Sequence, residues 1–246
     1  MENEWTASRR IYWGLVFFVG DFFFSMFFYD ETLYFKTGVT LIMALFALIV
    51  ALKADRNERY LDNSVEKFNK RVFICYIALW GFLSIFIILN IIAVSQTKYV
   101  FISALMSLAS SIFEESIGRG LFLSGFIRFF DYRDSAYVLT KATIFSTLLY
   151  SGIYLLNIIF VAPQIIFQQA ICLILIGIIL GVFRIRTNSL WVPIVIHFIL
   201  SWGSLGLIVD QSLLNWLLLA LLYLPLALFS LFYLRRLDQK NTAVSR

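Results

Sequence analysis

Apolar runs long enough to cross a bilayer recur along the whole of this chain, and that feature leaves few folds open. A helix rises about 1.5 Å per residue, so roughly 20 apolar residues traverse a hydrocarbon core of ~30 Å. That core holds no water. Each backbone N–H and C=O must therefore find its partner inside the protein, which restricts spanning elements to helices and closed barrels, and continuous apolar runs of this length read as helices. Eight runs are read: Ile11 to Phe28, Val39 to Leu52, Val72 to Val94, Tyr99 to Gly120, Ala142 to Phe160, Ile165 to Phe183, Trp191 to Val209 and Ser212 to Leu234. The second is short for a span, and the fourth is expected to run on to about Phe130 along the interface.

The expected fold is an all-α polytopic membrane protein of about eight transmembrane helices around a cytoplasm-facing polar cavity. Composition agrees, with 61% hydrophobic and 14% charged residues against roughly 45–50% and 25% in soluble domains. No linker or soluble segment interrupts the spans, so residues 1–246 are expected to form a single transmembrane domain. The longest polar stretch, Lys53 to Arg71, suits a short solvated helix on the cytoplasmic face.

Positive charge orients the spans, because short cytoplasmic loops collect Lys and Arg. Seventeen of the 20 basic residues fall on one side of the eight-span arrangement, only Lys36 and Lys98 on the other, and Arg119 lies inside the membrane. Both termini are therefore expected to be cytoplasmic. The net charge of +5 resides in juxtamembrane loops, where it meets anionic lipid headgroups and not nucleic acid. The first run contains Asp21 and lacks a small-residue cleavage site, so it is expected to stay as an anchor. Cys75 and Cys172 each fall within a span, which leaves no extracytoplasmic disulfide framework and favours a bland buried role. Gly177 and Gly181, four apart, have the spacing that lets two membrane helices approach closely. Pro193 and Pro225 suggest a helix start and a kink.

Against this apolar background Ser110 to Gly120 reads SSIFEESIGRG. A charge at the centre of a membrane helix costs about 2.5–3.5 kcal/mol on insertion scales, so Glu114, Glu115 and Arg119 mark a functional site by default. Glu115 and Arg119, four apart and in the favourable order, can pair along one helix face. Glu114, rotated by about 100°, faces the side that carries Ser111, Gly118 and Leu121. A carboxylate in a poorly hydrated site without a fixed counter-charge is suited to accept a proton from water. Glu114 is the candidate base, and Glu115 with Arg119 the candidate structural pair. His197, the single histidine, lies on the seventh run at a depth that lets it reach the same cavity, with Ser201 one turn further on. On the fifth run Tyr150, Tyr154 and Asn157 form a polar stripe at i, i+4 and i+7, able to donate hydrogen bonds to a developing oxyanion. No His-Glu-x-x-His is present, and with one histidine and isolated cysteines neither a zinc site nor another cofactor is expected.

The EESIGR segment resembles the Glu-Glu-x-x-x-Arg motif of the CPBP membrane proteins, the CAAX-protease and bacteriocin-processing group. SLWVPIVIHFILS is similar to that family's third motif, with His197 as its histidine, and the resemblance covers about Ser103 to Trp202. It implies that Glu114 activates water for attack on a peptide carbonyl, that Glu115 and Arg119 hold the helix, and that His197 supports the water or the oxyanion. In the second motif a histidine is expected four residues after an aromatic one; here Tyr150 is followed by Tyr154. Ser201 stands where the family often has Asn or Asp. A tyrosine donates a hydrogen bond but does not replace imidazole as a base at neutral pH.

Two readings follow. The chain is either an intramembrane endopeptidase acting on a membrane-associated or lipidated peptide, or a non-catalytic relative that acts as a bacteriocin-immunity or regulatory protein and binds a membrane partner. The resemblance implies a bacterial plasma membrane as the location. A solute transporter is disfavoured, because no inverted repeat or pair of broken helices is found.

Overall fold

The computed structural model describes residues 5–28, 31–55, 99–133, 135–159, 161–204, 216–217 and 219–244, with scattered positions between 77 and 95. Among the described residues every regular element is helical. These are α1 (Ala7–Phe27), α2 (Leu33–Asp55), α3 (Val100–Tyr132), α4 (Val138–Ile159), α5 (Pro163–Thr187), α6 (Trp191–Ser204) and α7 (Leu224–Val244), the last entered through a π turn at Leu219–Tyr223. Six of the described helices are long and apolar enough to cross a membrane, and α6 carries a shorter apolar stretch, Trp191–Trp202. The expected third span is described only at scattered positions. Cys75 and the polar stretch from Arg56 onward lie outside the described residues.

The second helix is longer than its apolar run suggests. The run ending at Leu52 is short, yet α2 has 23 residues, about 35 Å. Its polar first turns fold inward: Thr37 and Thr40 are buried, and the Thr37 hydroxyl donates to the Leu33 carbonyl at 2.8 Å. The fourth run continues past Gly120 as expected: α3 reaches Tyr132 as one 33-residue helix, about 50 Å long. Hydropathy measures what lipid tolerates. Helices end where hydrogen bonding and packing end.

Side chains follow the inverted logic of a membrane interior. On α2 the large residues Ile42, Leu45, Phe46, Ile49 and Leu52 are exposed toward the lipid zone, whereas Thr37, Thr40, Ala44, Ala47 and Ala51 form a buried stripe of small side chains. Small residues let backbones approach when no hydrophobic effect drives helices together. The stripe packs against α3, where a Cβ on Gly120 would lie 2.6 Å from the Ala51 Cβ. Gly177 and Gly181 do the same for α5 against α4: their added Cβ atoms would meet Thr147 and Thr143 at 2.5 and 2.7 Å.

α3 changes its winding inside the membrane. Val100–Glu115 is α-helical, Ser116–Phe122 is a π segment, and Leu123–Tyr132 is α-helical again. Such wide turns are rare and concentrate at functional sites. The segment starts immediately after the glutamate pair and is buried throughout.

Polar anchors tie the opposite end of the bundle. Arg10 of α1 and Arg184 of α5 both pair with Asp55 of α2, at 3.5 and 2.5 Å, and Arg10 donates to the Ala54 carbonyl at 2.6 Å. Asp238 of α7 caps α4 by accepting from the Leu139 and Thr140 backbone N–H groups at 2.8 and 2.9 Å. Lys53, Arg128, Arg133, Lys141, Arg186, Arg235 and Arg236 belong to this same end by their positions in the helices. The charge asymmetry read from the sequence is thus a property of one face of the bundle.

Candidate active site

Three polar contacts join α3 to the antiparallel α6 like rungs. The Trp202 indole donates to the Ser103 hydroxyl at 3.4 Å, the Ser111 and Ser201 hydroxyls are 3.2 Å apart, and His197 Nδ1 lies 2.7 Å from Glu115 Oε1. The rungs form because Ser111 and Glu115 are one turn apart on α3 and Ser201 and His197 one turn apart on α6. The same Glu115 oxygen also meets Arg119 Nη1 at 3.0 Å. Glu115 is therefore more than one half of a pair along its own helix. Fully buried, it bridges a cation on its helix to an imidazole on another, while its second oxygen makes no hydrogen bond among the described residues.

The adjacent Glu114 has the opposite environment. Its side chain retains 23% exposure and lines a cavity of about 320 Å³, where the buried Tyr150 hydroxyl donates a hydrogen bond to it. His197 Nε2 lies 3.9 Å from Glu114 Oε2, beyond a direct hydrogen bond. With Nδ1–H donated to Glu115, neutral imidazole has Nε2 left as an acceptor facing Glu114. Two acceptors at that separation can both receive protons from one water at normal hydrogen-bond lengths of about 2.8 Å.

The remaining predicted residues divide between the cavity and the helix contacts. Tyr154 lines the cavity, with its hydroxyl donated to Gln169 Oε1 of α5 at 2.9 Å. Asn157 also lines it, although α4 tightens into a 3-10 turn at Leu155–Ile159, so the stripe continues on a narrower helix than expected. His197 and Ser201 are not among the cavity-lining residues: His197, expected to reach the cavity, is drawn onto the buried Glu115, and the Ser201 hydroxyl approaches Ser111 and donates to the Phe198 carbonyl. Arg119 lies against α5, where a Cβ on Gly177 would come 3.1 Å from its Nη2.

Asp21 of α1 faces the same cavity, close enough to Glu114, Tyr150 and Tyr154 to couple electrostatically with them. Sequence reasoning left this carboxylate without a partner. Its only signal was its charge within an apolar run, and nothing in a linear pattern says that α1 turns that residue toward α3.

Residues 96–203 match the family described as type II CAAX prenyl endopeptidase Rce1-like. The matched segment is 108 of the chain's 246 residues. It bears out the resemblance carried by EESIGR and HFILS, and it contains Glu114, Glu115, Arg119, Tyr150, Tyr154, Asn157, His197 and Ser201. No curated protein and no solved structure matches the chain. The far wall of the cavity, with Phe18 and Asp21 on α1 and Lys36 and Thr40 on α2, comes from sequence outside the matched segment.

The lining shows where the cavity sits. It uses the second half of α1, the first turns of α2, the first half of α3, the end of α4 and the start of α5. Those parts meet at the α1–α2 and α4–α5 turns, away from the Arg10–Asp55–Arg184 cluster. The two sequence expectations of cytoplasmic termini and a cytoplasm-facing cavity therefore do not go together for this cavity. Which neighbouring helices leave space beside Glu114 depends on packing, which no count along a single helix can give.

Proposed function

We propose that this chain is an intramembrane endopeptidase that hydrolyses a peptide bond of a membrane-associated or lipidated peptide with water activated by Glu114. One observation supports the reading above others: of two adjacent glutamates, Glu115 is locked between Arg119 and His197 while Glu114 faces a cavity. In the proposed step, water between Glu114 and His197 Nε2 gives a proton to Glu114 as its oxygen attacks the scissile carbonyl. As Glu114 takes up that proton, the Tyr150 hydroxyl that donated to its carboxylate is released to donate to the developing oxyanion. The proton held by Glu114 then passes to the leaving amine as the C–N bond breaks, so water is divided between the two products. Glu115 and Arg119 hold the imidazole in one tautomer and one orientation. The host membrane in this reading is a bacterial plasma membrane with both termini in the cytoplasm.

The test uses the full chain reconstituted with a quenched-fluorescent apolar peptide carrying an S-alkylated cysteine. Glu114→Gln should reduce turnover by about 10²–10⁴-fold, the usual contribution of a general base, with expression and monodispersity retained. Unchanged turnover by that variant refutes the proposal.

A second reading has its own support. At two motif positions the hydroxyls of Tyr154 and Ser201 are engaged with Gln169 and with Ser111 and Phe198, an arrangement suited to a rigid scaffold. A non-catalytic immunity or regulatory protein would keep its partner binding or its protection after Glu114→Gln.

A further inference from the structure

We infer that the peptide acted on at this site reaches Glu114 from the extracytoplasmic side of the membrane, as a short apolar segment presented at the outer leaflet and not as a cytosolic tail. The inference deepens the endopeptidase reading and rests on it for the word substrate; the access route itself does not.

Exposure grades along the cavity in one direction. Tyr150 at its inner end is buried, Glu114, Asp21 and Tyr154 are intermediate, and Phe28 and Val161, beside the α1–α2 and α4–α5 turns, are each 37% exposed. On the other side of Glu114 the described helices are closed. Ile117, Leu121 and Phe122 of the π segment are fully buried, Gly120 is pressed against Ala51, and beyond them Arg10 and Arg184 close on Asp55. A ligand in this cavity thus has its open path through the turn end.

Charge assigns that end to a compartment. Arg9, Lys53, Arg128, Arg133, Arg186 and Arg236 occupy the closed end, and a concentration of Lys and Arg in short loops marks the cytoplasmic face. The open end is then extracytoplasmic. The lining describes the occupant: Phe18, Phe22, Phe24, Phe28 and Phe113 make the wall largely aromatic, and about 320 Å³ is the small end of the range for ligand pockets. A few apolar side chains fit. A folded domain does not.

The experiment is site-directed labelling of the full chain, with Cys75 and Cys172 replaced by alanine. Single cysteines are placed at the cavity rim (Ser25→Cys, Val161→Cys) and at the basic end (Arg236→Cys). A membrane-impermeant maleimide is applied to intact cells and to inverted vesicles. The expected result is labelling of Ser25→Cys and Val161→Cys in intact cells and of Arg236→Cys only in inverted vesicles. Rim cysteines reached only in inverted vesicles, or reached from neither side while Arg236→Cys labels, overturn the route. Arg236→Cys labelled in intact cells overturns the orientation. Modification at Ser25→Cys should also cut turnover of the fluorescent peptide at least tenfold. The expected labelling without turnover by any form would leave the route standing and remove the endopeptidase reading.

Discussion

At the basic end of the bundle, the buried Arg10 and Arg184 converge on the largely covered Asp55. At the turn end, Asp21 and Glu114 face a cavity, with Tyr150 beside Glu114 and His197 Nε2 3.9 Å from it. Both regions keep charge inside an apolar chain, yet the first matches each carboxylate oxygen with a guanidinium while the second leaves two carboxylates in an open space. The difference separates structural from chemical use of charge. A buried ion pair offsets its desolvation only when geometry is close and complete, whereas a group that must exchange a proton has to remain reachable by water. Glu114 and Glu115 repeat the contrast within two residues: the one that braces the helices is sealed, and the one proposed to react is not.

The sharpest attempt to break this comparison exchanges the roles. Glu114→Gln should reduce peptide turnover by about 10²–10⁴-fold and leave thermal stability in detergent within about 0.5 kcal/mol; an equal loss of stability would mean that Glu114 is structural too. Asp55→Ala should do the reverse. It strands two buried cations and should cost about 3–5 kcal/mol, read as a lowered midpoint of unfolding with specific activity of the surviving folded fraction preserved.

Smaller effects sharpen the picture of how the helices are held. Gly177→Ala drives a methyl group into Thr147 and Arg119, and overpacking of this kind costs about 1–3 kcal/mol; Thr147→Ala in the same chain should recover part of it. Asp238→Ala removes the cap on α4 and should cost about 0.5–2 kcal/mol, visible as faster proteolysis near Tyr137. Tyr154→Phe loses one neutral hydrogen bond to Gln169, about 0.5–1.5 kcal/mol, and should alter turnover less than tenfold. Tyr154→His should likewise be a modest change. Peptidase activity appearing only in Tyr154→His would move the chain to the non-catalytic reading.

Much of the site was legible before the fold. The Glu-Glu-x-x-x-Arg spacing announced a membrane-embedded cluster, and the four-residue separation anticipated the Glu115–Arg119 pair. That pair forms even though Arg119 lies in a π segment. The link from Glu115 to His197 was not legible, because its depth and the motif resemblance both assigned His197 to the reacting water or the oxyanion and neither shows which carboxylate it meets. Asp21 carried the same signal as Glu114, an isolated charge in an apolar run, but lacked a neighbour in sequence to give it meaning. The length of α2 was underestimated because inward-facing threonines look like interruptions to a hydropathy count.

Taken alone, the sequence determined that this chain is a membrane-embedded bundle of helices, which segments turn at which face, and that an acidic pair with an arginine lies in one span. Those properties are local: they depend on transfer energies and on spacing along a single helix. Tertiary structure alone decided that Glu115 braces His197, that α1 brings Asp21 to Glu114, and that the space beside them lies toward the end away from the basic residues. Hydropathy is blind to rotation about a helix axis, and only the packing of small residues such as Ala51, Gly120 and Gly177 selects which faces meet and where a gap remains.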